Sequence, residues 1–107
     1  MKKVGLSLLV FCIMTNTATG GTVKLIGAGA SASCGQWLSD RQNKDFDSMS
    51  EWALGFLSGV AVETQDYNPL NGVDSEAVLY WLDNHCRAHP ITRFADALDA
   101  FVIEHPR

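Results

Sequence analysis

Beyond residue 33, apolar positions recur three and four apart rather than at every second position, which is the spacing of a helical face. Cys34, Trp37 and Leu38 share the face of a first short helix, with Ser33 placed to cap its exposed N–H groups. A polar break over 43–47 follows. A second helix is predicted near 51–62, capped by Ser48 or Ser50, with Trp52, Ala53, Phe56 and Val60 among its apolar residues. The stretch 64-TQDYNPLNGVD-74 mixes Asx residues with Pro and Gly and reads as a loop. Asp74 caps a third helix, and Glu76 lies in its first turn, where the dipole favours an anion. Val78, Trp81, Leu82, His85 and Cys86 form its inner face. Pro90 ends it, because a residue before proline is pushed out of the helical region. Thr92 caps a fourth helix with Phe94, Ala97, Leu98, Phe101 and Val102 as its stripe, and Pro106 closes the chain. No segment alternates convincingly enough to be a strand. The expected fold is all-α, a small four-helix domain.

The first twenty residues have a different character. Lys2 and Lys3 precede an apolar run over 4–14, and small polar residues ending in Ala18, Thr19 and Gly20 follow. This is the layout of a secretory signal peptide, and the run is far shorter than the ~20 residues that span a bilayer. The expected organisation is therefore a signal peptide over 1–20, a flexible Gly/Ala/Ser/Thr-rich lead-in over 21–33, and a helical domain over 34–107. Cleavage leaves six basic residues against twelve acidic ones, a formal charge of −6. Such a chain is not expected to bind nucleic acid or anionic lipid through its overall field.

Cleavage also removes Cys12 and leaves Cys34 and Cys86. Cys86 stands between His85 and His89, a setting open to zinc ligation, a reactive thiolate or a disulfide. Zinc needs four N or S ligands, or three and a water. His89 precedes Pro90, Cys86 points away from both histidines, and Cys34 and His105 stand alone. A reactive thiolate needs a helix N-terminus or a fixed cation, whereas Cys86 lies near a helix C-terminus. A disulfide fits best: an even cysteine count in an oxidising compartment, with both residues on apolar faces. A Cys34–Cys86 bond closes a loop of ~50 residues and contributes about 4 kcal/mol in the chain-entropy picture. His85, Arg87 and His89 are then last-turn cations facing helix-end carbonyls.

Other constellations are weaker. Asp66, Asn68, Asn71 and Gly72 do not have the spacing of a calcium loop, and an Asx-rich turn accounts for them. Asp83, Asp96, Asp99 and Glu104 read as a solvated helix face. Trp37, Trp52 and Trp81 are expected in the core with Phe56, Phe94 and Phe101. Gly55 and Gly59 cost a helix interior roughly 1–2 kcal/mol together, so something is expected to approach them closely. With Phe56 and Tyr67 they are the candidate partner-contact residues. No catalytic, cofactor-binding or metal residues are assigned.

Cys34-x-x-Trp37-Leu38, Ala53-Leu54-Gly55-Phe56, the run from Val78 to Cys86, and Phe94-x-Asp96 together resemble the HdeA/HdeB-like family of small periplasmic bacterial proteins. The resemblance covers about 34–102. It implies a compact four-helix domain with one disulfide matching Cys34 and Cys86, a periplasmic location and, in many members, a homodimer. It also implies an acid-activated chaperone that holds unfolding client proteins. The expected function is accordingly non-enzymatic, with no cofactor. The alternative is a periplasmic binding, immunity or envelope-machine accessory protein acting on one specific protein partner. A small enzyme using Cys86 and a histidine is a third, weaker reading.

Overall fold

The computed structural model describes residues 23–64 and 68–105. They form four helices: α1 (Cys34–Gln42), α2 (Asp47–Glu63), α3 (Ser75–Ala88) and α4 (Phe94–Glu104). Among the described residues there is no strand, only an isolated antiparallel bridge between Ser33 and Arg93. The protein is thus a small all-α domain. The predicted signal peptide, Asp66, Tyr67 and Pro106 lie outside the described residues.

Two helices begin where a side chain caps them. Ser33 Oγ accepts from the Gln36 N–H at 3.0 Å, and Asp74 Oδ1 accepts from the Ala77 N–H at 2.9 Å. Each answers one of the four donors that a helix start leaves unpaired. The other two expected caps are corrected. α2 begins at Asp47, with Phe46 at the cap position and no side-chain bond. Ser50 lies inside the first turns, buried, and its hydroxyl donates to the Asp47 carbonyl. In α4 the cap position is Arg93, while the Thr92 hydroxyl donates to the His89 carbonyl at 2.9 Å. The reason is a pairing distant in sequence. Cys34 and Gly35 N–H groups donate to the Thr92 and Pro90 carbonyls, and the Phe94 N–H donates to Ala32. The α3–α4 turn and the start of α1 therefore satisfy one another.

The disulfide joins that junction to the end of α3. Cys34 and Cys86 are bonded, 4.9 Å apart at Cα, 52 residues apart in sequence and both inaccessible to solvent. α1 packs on α3, α3 on α4 and α2 on α4. Trp37, Phe94, Phe101, Leu57, Leu82 and Leu98 are the large side chains fully inside. Trp37 stacks on Phe94 with ring centroids 5.0 Å apart, an arrangement worth about 1 kcal/mol beyond the area it buries.

The core differs from expectation on α2. Its buried seam is Met49, Ala53 and Leu57, one residue every four. This turns the helix so that Trp52, Phe56 and Val60 lie at the margin, half-buried. Trp81 is also half-buried. In the loop before α3, the Asn68 side chain accepts from the Leu70 N–H at 2.9 Å, the expected Asx turn.

The described part of the expected lead-in is a strap against α2. Trp52 Nε1 donates to the Ile26 carbonyl at 2.6 Å, and the Ala30 N–H closes a turn onto Gly27 at 3.1 Å. Gly29 is buried on the face of the Trp52 ring, where any added Cβ would collide with it. Gly27, at φ +116°, meets the same ring edge-on. What composition presents as flexibility is a requirement for close approach.

Candidate interaction surface

Gly55 and Gly59 lie one turn apart on the side of α2 away from its buried seam. A Cβ built at either would meet no atom within 4 Å. The sequence leaves open whether an internal helix or another chain approaches them; among the described residues, none does. Phe56 is half-buried beside them, and Val62, three residues beyond Gly59, is 73 % exposed. Tyr67, the fourth candidate contact residue, lies outside the described residues.

Two clefts flank Phe56. One, of about 510 Å³, runs between the strap and α2 and is lined by Ile26, Trp52 and Gly55 with Lys24 and Glu51 at its edges. The other, of about 430 Å³, opens towards α4 and is lined by Leu25, Phe56, Ala95, Arg93, Asp96 and Asp99. Leu25 and Phe56 border both. The strap thus divides an apolar surface that α2 alone would present as flat. Sequence reading missed this part of the surface, since a Gly-rich segment gives no periodic signal.

In the second cleft the charges are unequally placed. Arg93 makes a two-pronged ion pair with Asp96, Nε to Oδ2 at 3.1 Å and Nη2 to Oδ1 at 2.9 Å. Asp99 has no hydrogen bond or ion pair in the described residues. Partial burial pushes its carboxyl above the usual range, Asp96 adds to that rise, and Arg93 opposes it.

Two of the three histidines contact Trp81, and the third stacks on one of them. His85 stacks on Trp81 at 4.9 Å and on His89 at 4.3 Å. His105 meets the Trp81 ring edge-on at 5.8 Å and stacks on Phe101 at 4.2 Å. His89 and His105 each turn Nδ1 to a last-turn carbonyl, that of His85 and that of Phe101. His89 thus faces a helix-end carbonyl as expected, whereas Arg87 bonds the Asn84 side chain and His85 is an aromatic partner. Burial holds His85 below the usual histidine range, the charge of His89 lowers it further, and Glu104 acts in the opposite sense. Among the described residues, no group of three His, Cys, Asp or Glu side chains is arranged to hold a metal ion. With its sulfur in the disulfide, Cys86 presents no thiolate.

Asp83 departs furthest from expectation. It is not on a solvated face but 7 % exposed, between α1 and α3. Trp37 is wholly buried, and a buried indole N–H needs an acceptor. Asp83 Oδ1 supplies it at 2.9 Å. A buried carboxylate in turn needs a cation. Arg41 supplies that through Nε at 2.9 Å and Nη2 at 2.7 Å, and the hydrogen bond to Asp83 raises its own pKa further. This cluster locks α1 to α3, beside a cleft of about 430 Å³ lined by Leu38, Arg41, Gln42, Asp83 and Arg87.

No helix among the described residues is long and apolar enough to cross a membrane. No protein-family model, curated protein or solved structure matches this chain.

Proposed function

We propose that this is an exported, non-enzymatic binding protein that holds a protein partner against the outer face of α2. The observation that carries this reading is the pair Gly55 and Gly59. Each is a residue that weakens a helix interior by about 0.8–1 kcal/mol against alanine, and among the described residues no atom would lie within 4 Å of a Cβ at either. Bare backbone beside a half-buried Phe56 and an exposed Val62 lets another chain approach closely. The disulfide and the acidic balance suit an oxidising compartment outside the cytoplasm. The test is a photo-crosslinking amino acid placed at Gly59 and, separately, at Asn84 on the outer side of α3, in cells carrying the full chain. One discrete product from position 59 and none from position 84 is expected. Equal labelling from both positions would defeat the reading.

A second reading, an acid-activated chaperone in the periplasm, draws on the family resemblance and on the contacts of His85 and His105 with Trp81, with His89 stacked on His85. Protonation of the twelve carboxylates and three histidines takes the cleaved chain from −6 towards +9. Tryptophan fluorescence and sedimentation from pH 7 to about pH 2 distinguish the two. Opening, or dissociation of a homodimer, together with suppressed client aggregation in acid favours the chaperone. A species unchanged over that range leaves the partner-specific reading.

A further inference from the structure

The cleft between the strap, α2 and α4 has apolar walls and a charged α4 side, where two aspartates stand with one arginine. Leu25, Phe56 and Ala95 form the apolar walls, and Asp96 and Asp99 stand one turn apart on the α4 side. The two carboxylates differ in what they already hold. Asp96 is tied by both oxygens to Arg93, which also holds Arg93's charge in place. Asp99 lies at the mouth of a partly apolar cleft with no cation of its own and with Asp96 as a like-charged neighbour. An ionised group so placed is incompletely solvated and gains from an incoming positive charge.

Lysine and arginine side chains have the matching form: an apolar stem of three or four methylenes that packs along apolar walls, and a cationic head that needs an anion. A cleft of about 430 Å³ accommodates one such side chain together with its flanking backbone. Val23, which also lines the cleft and is 82 % exposed, and Ile26 beyond it at 77 % extend the contact along the strap. The excess of acidic residues over the whole chain draws a basic segment in and gives an acidic one no foothold.

We propose that this cleft docks a partner polypeptide by receiving one of its arginine or lysine side chains, the stem between Leu25, Phe56 and Ala95 and the head on Asp99. The inference rests on the binding-protein reading and adds the chemistry of the segment bound. It makes Asp99 a recognition residue, one that makes no hydrogen bond among the described residues.

The experiment uses the oxidised, signal-cleaved chain and three blocked octapeptides that differ at one position. The first has arginine between two leucines. The second has citrulline there, which keeps the shape and removes the charge, and the third has glutamate. Amide chemical shifts are followed during titration. The arginine peptide is expected to bind at up to roughly millimolar concentration and to perturb Leu25, Phe56, Ala95 and Asp99 together. Citrulline is expected to weaken binding about three- to tenfold, and glutamate to abolish it. Asp99→Asn is expected to erase the difference between arginine and citrulline without loss of helix content. Equal affinities of the arginine and citrulline peptides at the cleft overturn the basic-residue inference and leave the binding-protein reading standing. Shifts confined to Gly55 and Gly59 do the same. No binding of any peptide, with position 59 still giving a discrete crosslink in cells, overturns the cleft alone. Concentration-dependent shifts at the cleft without peptide would make a second copy of this chain its occupant, and would overturn the proposal.

Discussion

Replacing Asp83 by asparagine tests how the buried lock between α1 and α3 works. In the native protein one carboxylate accepts from the Trp37 indole and, through both oxygens, from the Arg41 guanidinium. Asparagine keeps one oxygen for Trp37 but turns an NH₂ towards a group that only donates. What is lost is a charge-assisted, two-pronged contact. Hydrogen bonds to charged groups are worth about 1.5–3 kcal/mol, and breaking a fully buried ion pair costs about 3–5 kcal/mol. The side chain of Arg41 is 21 % exposed and that of Asp83 10 %, so the stranded guanidinium can turn to water, which places the loss at the lower end, about 2 kcal/mol. For a domain of this size that corresponds to a fall in Tm of roughly 8–16 °C. The assay is equilibrium urea unfolding of the oxidised protein at neutral pH, read by tryptophan fluorescence. Arg41→Met completes a double-mutant cycle; it keeps an apolar stem and removes the guanidinium that lies over the Trp37 and Phe46 rings. A coupling of about 1.5 kcal/mol or more is expected. Additive single mutants, or an Asp83→Asn protein within about 0.5 kcal/mol of the native one, would refute the argument.

Further consequences can be measured on the same preparation. Replacing Cys34 and Cys86 by serine should lower stability by about 4 kcal/mol, since the bond closes a loop spanning 52 positions; denaturant midpoints read it directly. Gly55→Ala and Gly59→Ala should each raise stability by about 0.5–1 kcal/mol, because the added methyl meets nothing; a fall in Tm would mean that the face is already occupied. Gly29→Val should do the opposite, forcing the strap off the Trp52 ring, with a red shift and broadening of tryptophan emission as the readout. Burial and His89 hold the His85 pKa below its unfolded value, so neutral His85 contributes stability that is complete above about pH 6.5 and shrinks as pH falls through the folded pKa. His85→Gln should therefore lessen the loss of stability between pH 7 and pH 5, and an unchanged slope would contradict it.

The parts of the fold that were legible in the sequence are those held by neighbours in the chain. Ser33 and Asp74 cap helices three residues away, and both helix starts were read correctly. The starts of α2 and α4 were not, because Phe46 and Arg93 cap nothing with their side chains and the α4 start is held by backbone pairing to residue 32. The Cys34–Cys86 bond could be inferred from count, compartment and apolar placement together. Asp83 could not, since its partners lie 46 and 42 residues away and its spacing on α3 is that of an ordinary polar face. A signal for it did exist: a wholly apolar environment around Trp37 leaves the indole N–H in need of an acceptor. On α2 the expected apolar residues were Trp52, Ala53, Phe56 and Val60; Ala53 does lie in the buried seam, but its seam partners are the smaller Met49 and Leu57. That displacement by one position leaves Phe56 at the surface and gives the molecule its candidate binding face.

The mutual pairing of the α1 start with the α3–α4 turn has a consequence for how the chain is made. Synthesis runs from the N-terminus, so residues 32–35 emerge well before the carbonyls of Pro90 and Thr92 that complete them. Until then the first helix has an unanswered entrance, and Cys34 itself waits for Cys86 until the end of α3 has been made. The last two helices are neighbours in sequence and can dock on each other at once, which makes them the template and the first helix the latecomer. A chain cut after residue 88 keeps both cysteines but lacks that template, and its sulfurs should pair slowly and between molecules. Timed thiol trapping of the two lengths during refolding would separate them, and equal rates of internal closure would show that the first helix needs no template.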